Sequence, residues 1–261
     1  MIGKSIVEGF RFAFSLKRML PYVISNFLLL YMTFYMLGRV GSLTIQSSEA
    51  IQSLSPFFSL YLLIIVLFLV SQPLFFGVTM HQAKHFPKVK PVKESFRLSF
   101  SVYLKTLIMF LILCLSYTAL GFVPYLWPFL MLVFLLAVYY SLPAAIGDNK
   151  KILESFKISF LNFKKYSLQT LVVFILVALI AIILIISSFI PLFFWMAGSV
   201  FNLVSQGVED ETILSYYLAQ LMISPTLIPF LLIPAILIAF VSVMCFGVKA
   251  RLYFNLKRKK I

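Results

Sequence analysis

Two histidines four residues apart, in His81-Gln-Ala-Lys-His85, are the first residues of this chain whose types and spacing suggest chemistry. On a helix they share a face, as two zinc ligands would. No Glu or Cys stands nearby to complete a site, so they read as ordinary histidines of a juxtamembrane helix, with no metal. Cys114 and Cys245 sit in apolar runs, far from any CxxC spacing, and read as small buried hydrophobes. Glu209-Asp-Glu211 reads as a solvated loop or as the N-terminal cap of a helix starting near Thr212. The chain has no nucleophile elbow, phosphate loop, dinucleotide fingerprint or carboxylate pair placed for hydrolysis. It therefore reads as non-enzymatic and without a cofactor.

The elements that would position these residues are membrane spans. Of the 261 residues, 62% are hydrophobic and only 11% charged, with mean hydropathy +1.05. A soluble domain carries about twice that charge. A helix crosses the roughly 30 Å hydrocarbon core with about 20 residues. Six apolar runs meet that length, near 20–38, 57–80, 104–123, 126–146, 166–189 and 226–248. Pro124-Tyr-Leu-Trp-Pro128 should turn the third run tightly into the fourth. The fifth should end near Phe189 before Pro191, with one or two short helices on the membrane between there and Pro225. The residues before Leu20 include Lys4, Glu8, Arg11, Lys17 and Arg18 and do not read as a cleavable leader.

The net charge of +14 could point to nucleic acid, but its placement excludes that reading. Twenty-one of the 22 Lys and Arg lie in the four segments that alternate with pairs of runs; Arg39 is the exception. Set against Glu8, Glu94, Asp148 and Glu154, those 21 leave one side at +17. Arg39 with Glu49, Glu209, Asp210 and Glu211 leaves the other at −3. By the positive-inside rule both termini are cytoplasmic in a multi-pass protein of the cytoplasmic membrane.

Three copies of one phrase organise the chain: Glu8-Gly-Phe-Arg-Phe-Ala-Phe14, Glu94-Ser-Phe-Arg-Leu-Ser-Phe100 and Glu154-Ser-Phe-Lys-Ile-Ser-Phe160. Glu and Arg/Lys at i, i+3 should meet on one helix face, and the Phe pairs at i, i+4 on another. Such a helix would lie in the interface, Phe face towards lipid. Basic residues then mark the start of each outgoing run: Lys17-Arg18, Lys105 and Lys164-Lys165. These five are the candidate contacts to lipid headgroups. Ser71-Gln-Pro73 to Gly77 and Ser141-Leu-Pro143 to Gly147 repeat S-x-P-x-x-x-G at the ends of returning runs, where a kink is expected. The expected fold is all-α: six transmembrane helices in three pseudo-repeats of interfacial amphipathic helix plus helical hairpin, about 1–85, 86–149 and 150–261, within one integral membrane domain.

Apart from Lys105 at its start, no run holds an Asp, Glu, Lys, Arg or His, which argues against proton- or ion-coupled transport. The polar groups inside the runs, among them Asn26, Gln72, Tyr117 and Gln169, either bond between helices or line a polar cavity. The first reading of function is a lipid- or partner-organising membrane module; the alternative is a transporter or permease subunit built on that cavity. Expected partners are membrane lipids, anionic ones included, with a protein partner or a second copy left open and nucleic acid excluded.

The three ExF[KR]x[small]F phrases, each leading a helical hairpin, resemble a group of bacterial and archaeal integral membrane proteins. It includes the YciC-type inner-membrane proteins and the membrane domain preceding the catalytic domain of some glycerophosphodiester phosphodiesterases. The resemblance spans nearly the whole chain and implies a fold, not an activity. The catalytic barrel of those phosphodiesterases, about 250 residues, is absent, and no catalytic residue carries over.

Overall fold

Apolar runs flanked by charge become helices throughout the described residues, and no strand occurs among them. The computed structural model describes residues 2–43, 55–86, 91–121, 127–208 and 210–258. Its helices are α1 (Ile2–Ala13), α2 (Leu16–Leu43), α3 (Ser55–His85), α4 (Val92–Ser101), α5 (Tyr103–Gly121), α6 (Trp127–Ala137), α7 (Ile152–Lys165), α8 (Ser167–Ser205), α9 (Glu211–Ile223) and α10 (Ile228–Arg258). A π-helical segment, Pro143–Gly147, precedes α7, and a 3-10 turn, Pro225–Leu227, precedes α10. Residues 124–126 of the expected Pro124–Pro128 turn, and Glu49 and Glu209, lie outside the described residues.

Four stretches are long and apolar enough to cross a membrane: Leu16–Ser42, Pro56–His85, Ser167–Ser205 and Pro225–Lys257. α4 and α5 are bent 69° from one another; taken as one broken span they make a fifth. α8 leaves Leu179, Ile182, Ile183 and Ile186 each more than half exposed. A helix with so apolar an exposed surface is stable in lipid rather than water.

Two of the six runs take a different course from the expected one. The fifth does not stop before Pro191: α8 continues through it for 39 residues, about 58 Å at 1.5 Å per residue. Proline inside an apolar helix is tolerated where neighbours or local adjustment re-satisfy the freed carbonyl. The fourth breaks early. α6 ends at Ala137, turn residues follow at 138–140, and Pro143 opens the π segment. Pro143 has no N–H to return to the preceding turn and crowds the carbonyl there, so the ladder slips to wider spacing. Pro73 in the matching motif lies inside the unbroken α3.

The chain divides into two compact units. One comprises Leu20–Leu69 and Ile183–Ala239. Its core is Leu192, Leu227 and Leu231, packed by rings that include Phe27, Tyr31, Trp195 and Phe230. Trp195 stacks on Phe230 at 4.8 Å and 19°. Gly38 is required there by close approach, since a Cβ would sit 2.6 Å from the Ala219 carbonyl oxygen. The other unit comprises Met1–Met19, Val70–Ile182 and Phe240–Ile261, and it contains all three phrases.

Candidate functional site

Each phrase falls on its own short helix, α1, α4 or α7, followed directly by a longer apolar one. The second and sixth residues of the phrase, one helical turn apart, are small and buried in every copy: Gly9 and Ala13, Ser95 and Ser99, Ser155 and Ser159. The last residue is exposed in every copy: Phe14 at 76%, Phe100 at 72% and Phe160 at 56%. Val7 and Leu153 are exposed as well. The small face is therefore the packing face, and the terminal Phe is largely exposed, with the Phe14 ring also meeting that of Phe240 edge-on at 5.0 Å.

What the small face packs on follows a pattern. Ser99 of α4 meets Gly77 of α3, where an added Cβ would approach the serine Cβ to 2.9 Å. Ser159 of α7 meets the break after α6. Its hydroxyl accepts from the Tyr140 N–H at 2.9 Å and donates to the Ala137 carbonyl at 2.6 Å, satisfying groups the interrupted ladder leaves open. Gly9 of α1 meets α10: a Cβ there would lie 2.9 Å from the Val248 nitrogen, and one on Gly247 would lie 2.8 Å from the Phe12 ring. Each phrase helix thus seats on the end of a returning helix. α4 and α7 use the one just before them in the chain, and α1 uses the last.

An ion pair locks the α1 seat, and others tie α3 and α10 to Asp148. Arg251 of α10 pairs with Glu8 of α1 at 2.7 Å, with side chains only 4% and 18% exposed. Arg251 also donates to the Phe86 carbonyl at 3.0 Å. Burial raises the Glu8 carboxyl pKa, but the Arg251 hydrogen bond and charge, with Lys4 and Asn255, outweigh it and hold the group below its ordinary value. Asp148 accepts from Tyr253 at 2.8 Å and Lys257 at 2.7 Å, with Lys84 at 3.9 Å. Carbonyls of the π segment are taken by lysines: Gly147 by Lys84, and Ala145 by Lys105 at 3.3 Å. Lys105 also donates to the Asn149 side chain at 2.8 Å, and Asn149 adopts a left-handed φ of 52°.

These contacts correct the expected i, i+3 pairing. Glu8 reaches Arg251 rather than Arg11, and Glu154 reaches Lys150 at 2.6 Å rather than Lys157. At Glu8 a guanidinium held in a buried site outcompetes a solvated neighbour on the same helix, because screening is weaker there; Glu154 keeps an exposed pair, four residues back rather than three ahead.

The five candidate headgroup residues separate into two groups. Lys17, Lys164 and Lys165 are exposed. Lys105 turns inward as described, and Arg18 donates to Gln82 at 3.0 Å and to the Phe12 carbonyl. The four candidate cavity residues are not brought together. Asn26 belongs to the unit with the aromatic core, and Gln72, Tyr117 and Gln169 belong to the other. Asn26 Nδ2, Gln72 Nε2 and Gln169 Oε1 are buried without a hydrogen-bond partner. Tyr117 lines a groove of about 470 Å³ walled by Phe76, Phe110, Leu113, Phe134, Phe246 and Lys249.

Lys249 and Arg251 are the residues the sequence reading missed, since they counted as loop charges after the sixth run. α10 continues through both. The signal was present: Val248, Leu252 and Leu256 are apolar at helical spacing beyond Gly247, and all three are buried. Asp210 behaves as the capping reading has it, accepting from the backbone N–H of Thr212 at 2.8 Å and of Ile213 at 3.4 Å. Those bonds hold its carboxyl below the usual value. His81 and His85 lie four apart on α3, and among the described residues no group of three His, Cys, Asp or Glu could hold a metal ion. No protein-family model, curated protein or solved structure matches the chain.

Proposed function

We propose that this is a non-enzymatic membrane module that organises anionic lipid, or a partner, at the cytoplasmic leaflet. In this reading six spans form three pseudo-repeats, and each phrase helix lies in the interface with its terminal Phe among acyl chains. The observation that carries it is the common burial pattern: in each copy the two small residues are buried and the final Phe is more than half exposed. An exposed aromatic at the same position of three helices suits a bilayer boundary. Exposed Lys17, Lys164 and Lys165 supply the positive charge beside it.

Each near-surface lysine contributes about 1 kcal/mol towards anionic lipid. Replacing Lys17, Lys164 and Lys165 together by Gln should lower the anionic fraction of co-purified lipid, counted by native mass spectrometry. An unaltered lipid profile sinks the reading. Orientation is tested separately by placing a cysteine at 210 in a variant lacking Cys114 and Cys245. Labelling from outside intact cells is expected; labelling only after permeabilisation reverses the topology.

A further inference from the structure

Among the described residues of the phrase-bearing unit several cations have acidic or polar partners that account for them, and the partly buried Lys249 does not. Arg251 has Glu8, Lys84 and Lys257 have Asp148, and Lys105 has a carbonyl and an amide oxygen. Lys249 stands against rings, with the Cys245 thiol one helical turn before it. Its amine stands 4.9 Å from the Tyr139 ring centre and 5.7 Å from that of Phe246. Among the described residues no carboxylate lies within 4.0 Å of it. A cation placed against apolar walls calls for an opposite charge or loses its own. Ring faces attract it without neutralising it.

Lys249 lines a groove of about 470 Å³ between α3, α5, α6 and α10, a volume within the roughly 300–1,000 Å³ of small-molecule sites. Its other walls include Phe110, Leu113 and Leu135, with Cys114, Tyr117 and Thr118. From Phe110 to Thr118 the groove follows α5 for about 12 Å. Its lining has one cation, Lys249, among mostly apolar walls with Cys114, Tyr117 and Thr118, which is the complement of an amphiphile with an acidic head and a hydrocarbon tail.

We propose that this groove binds one anionic phospholipid, its phosphate on Lys249 and one acyl chain along α5. The inference rests on the lipid-organising reading and gives it a specific site. A phospholipid is favoured as the occupant because the walls belong to helices that lie in the bilayer on that reading. Lys249 then acts in recognition, not in catalysis.

The test is native mass spectrometry of the full chain in detergent, supplied with equal phosphatidylglycerol and phosphatidylcholine of matched chains. One phosphatidylglycerol should be retained in preference. Lys249→Met should lower that preference roughly fivefold or more, as expected for loss of a near-surface charge, and Lys249→Arg should keep it. Leu113→Trp, which fills the groove and leaves the amine, should also expel the lipid. A phosphatidylglycerol carrying a photoreactive acyl chain should crosslink to 110–118. Retention by Lys249→Met, crosslinks only outside α5, or recovery of a free fatty acid in place of phospholipid overturns the proposal. If the Lys17, Lys164 and Lys165 replacements abolish all anionic preference while Lys249→Met leaves it intact, the groove proposal falls and the broader reading stands. If the wild-type chain retains no anionic lipid, both fall.

Discussion

The two units of the chain hold their helices together by different means. In the unit of Leu20–Leu69 and Ile183–Ala239 the contacts are rings and aliphatics around Leu192, Leu227 and Leu231. Among the described residues its charged contacts include Arg39, which donates to the Tyr35 hydroxyl and lies 5.2 Å from the Phe57 ring centre. In the unit of Met1–Met19, Val70–Ile182 and Phe240–Ile261, helices are tied by Glu8–Arg251, by the Asp148 cluster and by lysines on π-segment carbonyls. Ring packing tolerates exchange of similar shapes. Buried charge does not, because removing one partner strands the other. The phrase-bearing unit is therefore the one whose geometry is narrowly specified, and the interaction surface is to be sought there.

That contrast can be broken most easily at Glu8. Glu8→Gln leaves Arg251 without its charge partner and should cost about 3 kcal/mol or more of stability, read as loss of thermal stability in detergent. The same pair implies a pH dependence. The Glu8 carboxyl is held below its ordinary value in the folded protein, so the folded state favours the charged form. This contribution is complete above the unfolded carboxylate value and is lost as pH falls through the folded one. The acid limb of the stability curve should flatten in Glu8→Gln; an unchanged limb assigns the acid sensitivity elsewhere.

Gly9→Val comes next. It drives a side chain into Val248, and overpacking of this kind costs about 1–3 kcal/mol; equal stability to wild type would contradict the α1–α10 seat. In the ring-packed unit, Trp195→Phe keeps the apolar fill and should lose only about 1 kcal/mol of stacking and area. A loss as large as that of Glu8→Gln would erase the distinction between the units. Smallest of all, Glu154→Gln removes an exposed i, i+4 pair with Lys150 and should leave the melting temperature unmoved.

Much of the helical content was legible because apolar runs of span length are hard to read otherwise. Four of the six runs fall almost wholly on α2, α3, α8 and α10. The rest escaped for local reasons. Pro73 and Pro143 share a motif, yet one is absorbed and the other opens a π segment. The difference rests on neighbours such as Ser159, which repairs the break after α6 from another helix. The phrase was visible as a repeat, but its packing face was not. Glycine and serine look featureless in sequence, and only their approach to Gly77 and Val248 marks them. Lys249 was hidden by its resemblance to an ordinary charge after a span.

The central claim is that the three phrase helices lie alike at one bilayer boundary, with Phe14, Phe100 and Phe160 in lipid. Spin labels placed singly at 14, 100 and 160, in a variant lacking Cys114 and Cys245 and reconstituted in nanodiscs, test it directly. Collisional accessibility should favour oxygen over a water-soluble nickel complex at all three positions, and the reverse at 11, 97 and 157. Water exposure at any one of 14, 100 or 160 would contradict the account.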